Sequence, residues 1–252
     1  MVGMIDRKLS ELIGVYDDFV PLDICEKTIQ YFEECDKLEL TLKGSSGFSG
    51  NVNKNVKEST DLQLLWKNAS DNPFFTPTHK PELYREIHNS LVSRITNACH
   101  KYVFDLAEMA GAQQTPFHTT KQTITSLQVQ RYKKSEAGYP GLHIESEGPS
   151  VIYRFLAPIV YLNDIDVDGE TEIPLAGLKV KPKAGRILII PSGIPFWHRG
   201  LRSPEKDKYI VTSWIEYTNG VELIKEMESE MEALRKQANM PNMHINPSLL
   251  FY

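Results

Sequence analysis

Residues 187–217 read ILIIPSGIPFWHRGLRSPEKDKYIVTSWIEY, two β-branched and aromatic runs, Ile187–Pro191 and Lys208–Tyr217, held apart by a segment rich in Gly, Pro, Ser and charge. Short apolar runs bounded by turn residues read as strands. Two more lie upstream, Ile124–Tyr132 and Val151–Leu162, again divided by Gly, Pro, Asn and Asp clusters. No helical stretch separates these runs. That spacing argues against alternating βαβ units and for a sandwich or barrel of short strands.

The first half has a different texture. Val20-Pro21 opens a helix, because proline suits the first turn and Asp23 and Glu26 suit its positive end. Leu22, Cys25, Ile29 and Phe32 then recur at helical spacing, to about Lys37. Residues 43–60, KGSSGFSGNVNKNVKEST, have no period and read as a surface loop. A longer helix begins near Pro81, with Leu83, Ile87, Leu91, Ile95, Cys99 and Tyr102 on one stripe. A last helix over 221–238 places Ile224, Met227, Met231 and Leu234 on a docking face. One domain is expected: 1–120 mainly helical support and loop, 121–217 the β core, 221–238 the closing helix.

Composition narrows the function. The 252 residues carry 28 Lys+Arg against 33 Asp+Glu, a net charge of −5. With no basic run, the chain lacks the phosphate attraction that supplies most nucleic-acid affinity, so nucleic acid is not an expected partner. The opening MVGMIDRKLSEL has charges where a secretory signal needs an apolar run, and no stretch approaches the length of a membrane span. A cytoplasmic protein is expected. Three cysteines without a CxxC pair make a disulfide framework or a cysteine-rich zinc site improbable. A bound metal would take His and carboxylate ligands.

Such ligands are present. His143-Ile144-Glu145 puts an imidazole and a carboxylate two residues apart, on the same side of an extended chain. Taken alone, the pair reads more readily as structural or solvated. His198, in PFWHRG between two strand runs, supplies a third group. Two imidazoles and one carboxylate on an arc, with the opposite positions open, suit Fe(II) oxygenase chemistry. Downstream, KYIVTSWIEY places Lys208, Ile210, Thr212 and Trp214 on one strand face. A lysine inside an apolar barrel needs an anion, and a ligand carboxylate would serve. The alternative is a strand-end lysine that snorkels to water.

Taken in order between Leu127 and Glu216, the segments LQVQRY, HIE, VYLND, DGETEIP, LKVKPKAGRILIIP, WHRG and KYIVTSWI resemble the prolyl-4-hydroxylase branch of the Fe(II)/2-oxoglutarate dioxygenases. The opening VYDDFVPLDICEKTI resembles the strand-to-helix start of that branch. The resemblance implies a mainly β fold with flanking helices around a double-stranded β-helix, the jelly-roll or cupin-like core. It puts His143, Glu145 and His198 on the iron-ligand positions and Lys208 on the position that grips the distal carboxylate of 2-oxoglutarate. By the same likeness, the phenols of Tyr132 and Tyr161 line the cosubstrate pocket and Trp214 packs near it. The implied reaction is hydroxylation of an unactivated C–H bond with release of succinate and CO₂. It uses Fe(II), 2-oxoglutarate and O₂, with ascorbate a candidate addition.

Two departures stand out. Glu145 occupies a position where the branch usually has Asp, and Arg186 stands where it often has Gly-Asp; Arg186 reads as solvent-facing or as a substrate contact. Glu147 is a competing ligand in principle, but on a strand it would lie about 13 Å along the chain. The branch implies a prolyl residue in a peptide or protein as substrate, with a free amino acid or other small molecule as the alternative. Tyr139, Pro140, Arg154 and Trp197 are entrance candidates, and the 43–60 loop could fold over a peptide. Readings from other classes are a non-catalytic metal-binding jelly-roll module and a zinc hydrolase, for which Lys208 would have no use.

Overall fold

A computed structural model describes residues 9–44, 53, 56–66, 79–112, 122–148, 151–217 and 229. Apart from residue 229, the helix expected at 221–238 lies outside them, as do residues 45–52, 54 and 55 of the expected loop.

In chain order the elements are β1 (Gly14–Tyr16), α1 (Leu22–Lys37), β2 (Leu42–Lys43), β3 (Thr60–Trp66), α2 (Pro81–Met109), β4 (Gln122–Tyr132), β5 (Tyr139–His143), β6 (Arg154–Tyr161), β7 (Thr171–Ile173), β8 (Leu178–Val180), β9 (Ile187–Pro191), β10 (His198–Gly200) and β11 (Lys208–Tyr217). They form a seven-stranded sheet in the order β1-β9-β6-β11-β4-β3-β2 and a four-stranded sheet in the order β5-β10-β7-β8. Every pairing is antiparallel. This is the jelly-roll that the resemblance implies, and a form of the sandwich expected from the strand runs.

The central strands of the larger sheet are buried on both faces, which explains why β6 and β9 read as nearly unbroken apolar runs. Along β9, Ile187 and Ile189 join the helices in one core, while Leu188 and Ile190 face the other core between the sheets. Val211 and Ile215 of β11 turn to the helices and Ile210 turns inward. On α2, Ile87, Leu91, Ile95, Cys99 and Tyr102 are buried as the stripe predicts. On α1 the stripe is displaced: Ile24, Cys25, Thr28, Tyr31, Phe32 and Cys35 are buried, and Leu22 is 58% exposed. Val20, just before the helix, is buried in the helix-side core. Arg131 of β4 ties α1 to the sheet by hydrogen bonds of 2.8 Å to Glu33 and 2.8 Å to Asp36.

Three strands come from the half read as helices and loop. β3 carries Leu62 and Leu64 into the helix-side core, while Asp61 is hydrogen-bonded to Lys57 and Gln63 to Ser126. Its TDLQLLW alternates polar and apolar residues, a period the low-complexity stretch before it obscures. β1 has three residues, too few to show a period, and gains its place by pairing with β9, Gly14 opposite Ile189. Residues 56–58 run alongside β5, where Glu58 bridges Gly138. Arg186 is neither free nor aimed at the site: its guanidinium forks onto Asp17, Nη2 to Oδ2 at 3.1 Å.

Candidate metal centre and cosubstrate pocket

His143 ends β5 and His198 begins β10, and the two are direct partners in the antiparallel register. Cross-strand partners present their side chains to the same face, so pairing alone brings the rings together, with centroids 4.3 Å apart. Glu145 follows two residues after His143. Its own N–H and that of Ser146 both donate to Ser192 O, at 3.1 and 3.1 Å, which fixes the chain just past β5. Glu145 Oε1 then lies 3.5 Å from His143 Nε2 and 3.4 Å from His198 Nε2.

The second nitrogen of each ring selects the tautomer. His143 Nδ1 is 3.0 Å from Gly141 O and His198 Nδ1 is 3.1 Å from Phe196 O. A carbonyl can only accept, so both Nδ1 atoms carry hydrogen and each ring turns its Nε2 toward the shared space. His143, Glu145 and His198 are the one group of three metal-capable side chains among the described residues, their ligand atoms all within 4.8 Å of one another. Glu147 is not part of it. Burial works to raise the Glu145 carboxyl, but the two imidazoles outweigh it and hold the carboxyl well below the usual range. Two imidazoles and a carboxylate, converging and externally braced, fit a divalent iron.

The other oxygen of that carboxylate is engaged elsewhere. Glu145 Oε2 accepts a 2.7 Å hydrogen bond from Trp214 Nε1, and Arg154 Nη1 stands 3.6 Å from the same oxygen. The Arg154 guanidinium also lies over the Trp214 ring, 4.0 Å from its centroid. Trp214 therefore touches the metal-ligand set itself, a contact that strand alternation could not reveal. Tyr139, read as an entrance residue, stacks on His143 with ring centroids 3.9 Å apart and planes 9° from parallel. Trp197 is half-buried beside His198.

Lys208 opens β11, opposite Tyr132. It does not snorkel: it is 3% exposed, and its Nζ donates to Gly169 O at 2.9 Å and Leu201 O at 3.0 Å. No ion pair neutralises it among the described residues, and burial lowers its pKa from 10.5 to about 8. A Cβ built on Gly200 would meet Nζ at 3.6 Å, so the ammonium lies beside β10 two residues beyond His198. Two strand residues span roughly 7 Å, comparable to the length of a five-carbon diacid. Tyr132 donates to Gln130 Oε1 at 2.7 Å, and Tyr161 to Thr171 Oγ1 at 2.7 Å. Both phenols belong to the inner core with Ile210 and Leu188. Thr212 Oγ1, on the strand face of Lys208 and Trp214, is buried without a hydrogen-bond partner.

Neither a protein-family model nor a curated protein sequence matches the chain. Solved structures do. The viral collagen prolyl hydroxylase of Paramecium bursaria chlorella virus-1, in its 2-oxoglutarate complex, is similar with a TM-score of 0.53 at 18% identity, over 86% of this chain and 100% of that one. A prolyl hydroxylase of Trichoplax adhaerens, bound to a peptide of the hypoxia inducible factor oxygen degradation domain, gives a TM-score of 0.57 at 15% identity, covering 82% of this chain and 84% of that one. A prolyl-4-hydroxylase of Pseudomonas putida gives 0.51 at 15% identity, over 81% and 92%. Among the described residues, no helix is long and apolar enough to cross a membrane. With its two antiparallel sheets and flanking helices, the chain has the double-stranded β-helix fold of the Fe(II)/2-oxoglutarate oxygenases, prolyl 4-hydroxylases among them.

Proposed function

We propose that this protein is an Fe(II)- and 2-oxoglutarate-dependent dioxygenase that hydroxylates an unactivated C–H bond, with a prolyl residue of a peptide or protein as its substrate. The observation that carries the reading is the pairing of two sites: a braced His143–Glu145–His198 set, and a buried ammonium, in no ion pair among the described residues, beside Gly200 of the strand that begins at His198. A hydrolase using the same three ligands has no need for the second.

In this reading His143 Nε2, Glu145 Oε1 and His198 Nε2 hold Fe(II), and Lys208 takes the distal carboxylate of 2-oxoglutarate, with Tyr132 and Tyr161 walling the pocket. Bound Fe(II), with 2-oxoglutarate and O₂, supplies the oxidising chemistry that yields succinate, CO₂ and one hydroxyl group on the substrate. The chain's own contribution is orientation and exclusion of water. Lys208 fixes one end of the diacid, and the apolar inner core around Ile210 and Leu188 keeps the pocket dry. Tyr139, Arg154 and Trp197 border the mouth on the substrate side. The peptide-bound Trichoplax adhaerens structure supports a peptide substrate.

The test has two parts. Anaerobic addition of Fe(II) and 2-oxoglutarate is expected to give a weak visible band near ~500 nm, a property of the cofactor pair. Proline-containing peptides are then screened by mass spectrometry for gain of one oxygen coupled to succinate. A band without any oxidised peptide would move the substrate to a small molecule. No band in metal-loaded protein would remove the dioxygenase reading and leave a binding module.

A further inference from the structure

Glutamate at a ligand position brings a difficulty that aspartate does not. The extra methylene adds a torsion and lets the carboxylate swing until both oxygens face the ion. Bidentate binding would close a coordination position that cosubstrate and O₂ require. Here that rotation is opposed on one side only. Oε1 faces the two imidazole Nε2 atoms at 3.5 and 3.4 Å, while Oε2 takes the Trp214 indole N–H at 2.7 Å. Trp214 is itself held flat by Arg154, stacked over its ring at 4.0 Å. The guanidinium adds positive charge 3.6 Å from Oε2.

The bond has little freedom to relax. Trp214 sits in the register of β11 opposite Ser126, immediately before the irregularity between Trp214 and Ile215. Tryptophan N–H is a donor only, so it cannot switch roles to suit a rotated carboxylate. A charge-assisted bond of this length to a half-buried oxygen is lost if the carboxylate turns.

We propose that Trp214 is a positioning residue that makes glutamate workable at this site: its indole N–H holds Oε2 away from the ion, so that Glu145 presents Oε1 alone and the open face stays open. The inference rests on the metal-site reading above. Outer partners of metal ligands are typically worth ten- to a hundredfold in affinity.

The experiment is a double-mutant cycle read by Co(II) and Fe(II) titration of the full chain, with the visible spectrum of the Co(II) form reporting coordination number. Trp214→Phe keeps a ring beneath Arg154 and removes the donor. It is expected to shift the Co(II) spectrum toward a higher coordination number and to change metal affinity ten- to a hundredfold with Glu145 in place. In a Glu145→Asp background, whose side chain is one carbon–carbon bond too short to reach both the ion and the indole, the same substitution is expected to change affinity less than twofold. Replacement of Trp214 by its benzothiophene isostere, which has the same shape and no N–H, should reproduce the Phe result even if the smaller ring perturbs folding. Equal effects in both backgrounds, an unchanged Co(II) coordination number, or an isostere that binds like wild type would overturn the role of the N–H. A wild-type protein that binds neither metal would instead remove the metal-site reading itself.

Discussion

Lys208 should make the unliganded protein less stable at neutral pH than at alkaline pH. Its pKa falls from 10.5 in an exposed chain to about 8 in the fold because burial disfavours the ammonium. A difference of that size corresponds to about 3 kcal/mol. Because the folded-state pKa is the lower one, between pH 8 and 10.5 the unfolded chain holds a proton that the folded chain has released. The unfolding free energy therefore rises with pH across that window, and the penalty is fully present below it. Lys208→Met removes the titration. It also removes the donors to Gly169 O and Leu201 O, a loss that does not vary with pH and so cancels from the slope. Urea unfolding of metal-free wild type and Lys208→Met, in steps from about pH 7.5 to 10.5, should show their difference shifting by about 3 kcal/mol in favour of wild type. Saturating 2-oxoglutarate with Mn(II) should flatten the shift, since the distal carboxylate supplies the missing counter-charge, and cosubstrate affinity should fall roughly tenfold per pH unit above 8. A difference that stays constant in the ligand-free protein would mean that the ammonium is solvated and that no anion site exists there.

Three further outcomes follow from the geometry. His198→Ala should abolish iron binding and 2-oxoglutarate-dependent succinate formation while far-ultraviolet circular dichroism stays unchanged; turnover at a tenth of wild type or more would contradict the ligand assignment. Gly200→Val pushes methyls into the space before Lys208, where a bare Cβ already stands 3.6 Å from Nζ, so the Michaelis constant for 2-oxoglutarate should rise at least about tenfold with metal affinity unaltered. Arg131→Met should cost about 2–3 kcal/mol in urea unfolding, less than breaking a fully buried pair, because Glu33 and Asp36 remain 35% and 29% exposed and can hydrate.

What could be read from the sequence depended on whether a signal is local. β9 and β11 have the bounds their composition predicts, Ile187–Pro191 and Lys208–Tyr217, since two-sided burial leaves an apolar run with sharp ends. The helix starts at Pro21 and Pro81 were equally plain, because proline fixes its own dihedral angle. β1 showed no period of its own and was read only through the resemblance of VYDDFVPLDICEKTI to a strand-to-helix start, since three residues gain strand character by meeting β9 across a long stretch of chain. The displaced face of α1 has a similar cause: which residues the helix buries depends on how it docks against the sheet and α2, and period alone does not set that. At the site, spacing proposed His143, Glu145 and His198, but their approach depends on the β5–β10 register, which no local pattern encodes. The destinations of Trp214 and Tyr139 were hidden for the same reason. Each meets its partner through tertiary structure, and strand periodicity reports only a side chain's face.

The smaller sheet is slight: β7, β8 and β10 have three residues each, and few ladder bonds hold β5 against β10. Its two histidines face each other across that weak seam, so an ion bridging them would act as a clasp on the thinner wall of the sandwich. Depletion of metal should then be felt unevenly. The broad sheet and its helices would persist, while amide exchange quickens along the seam, and a chelator would loosen the protein from the side where its chemistry takes place.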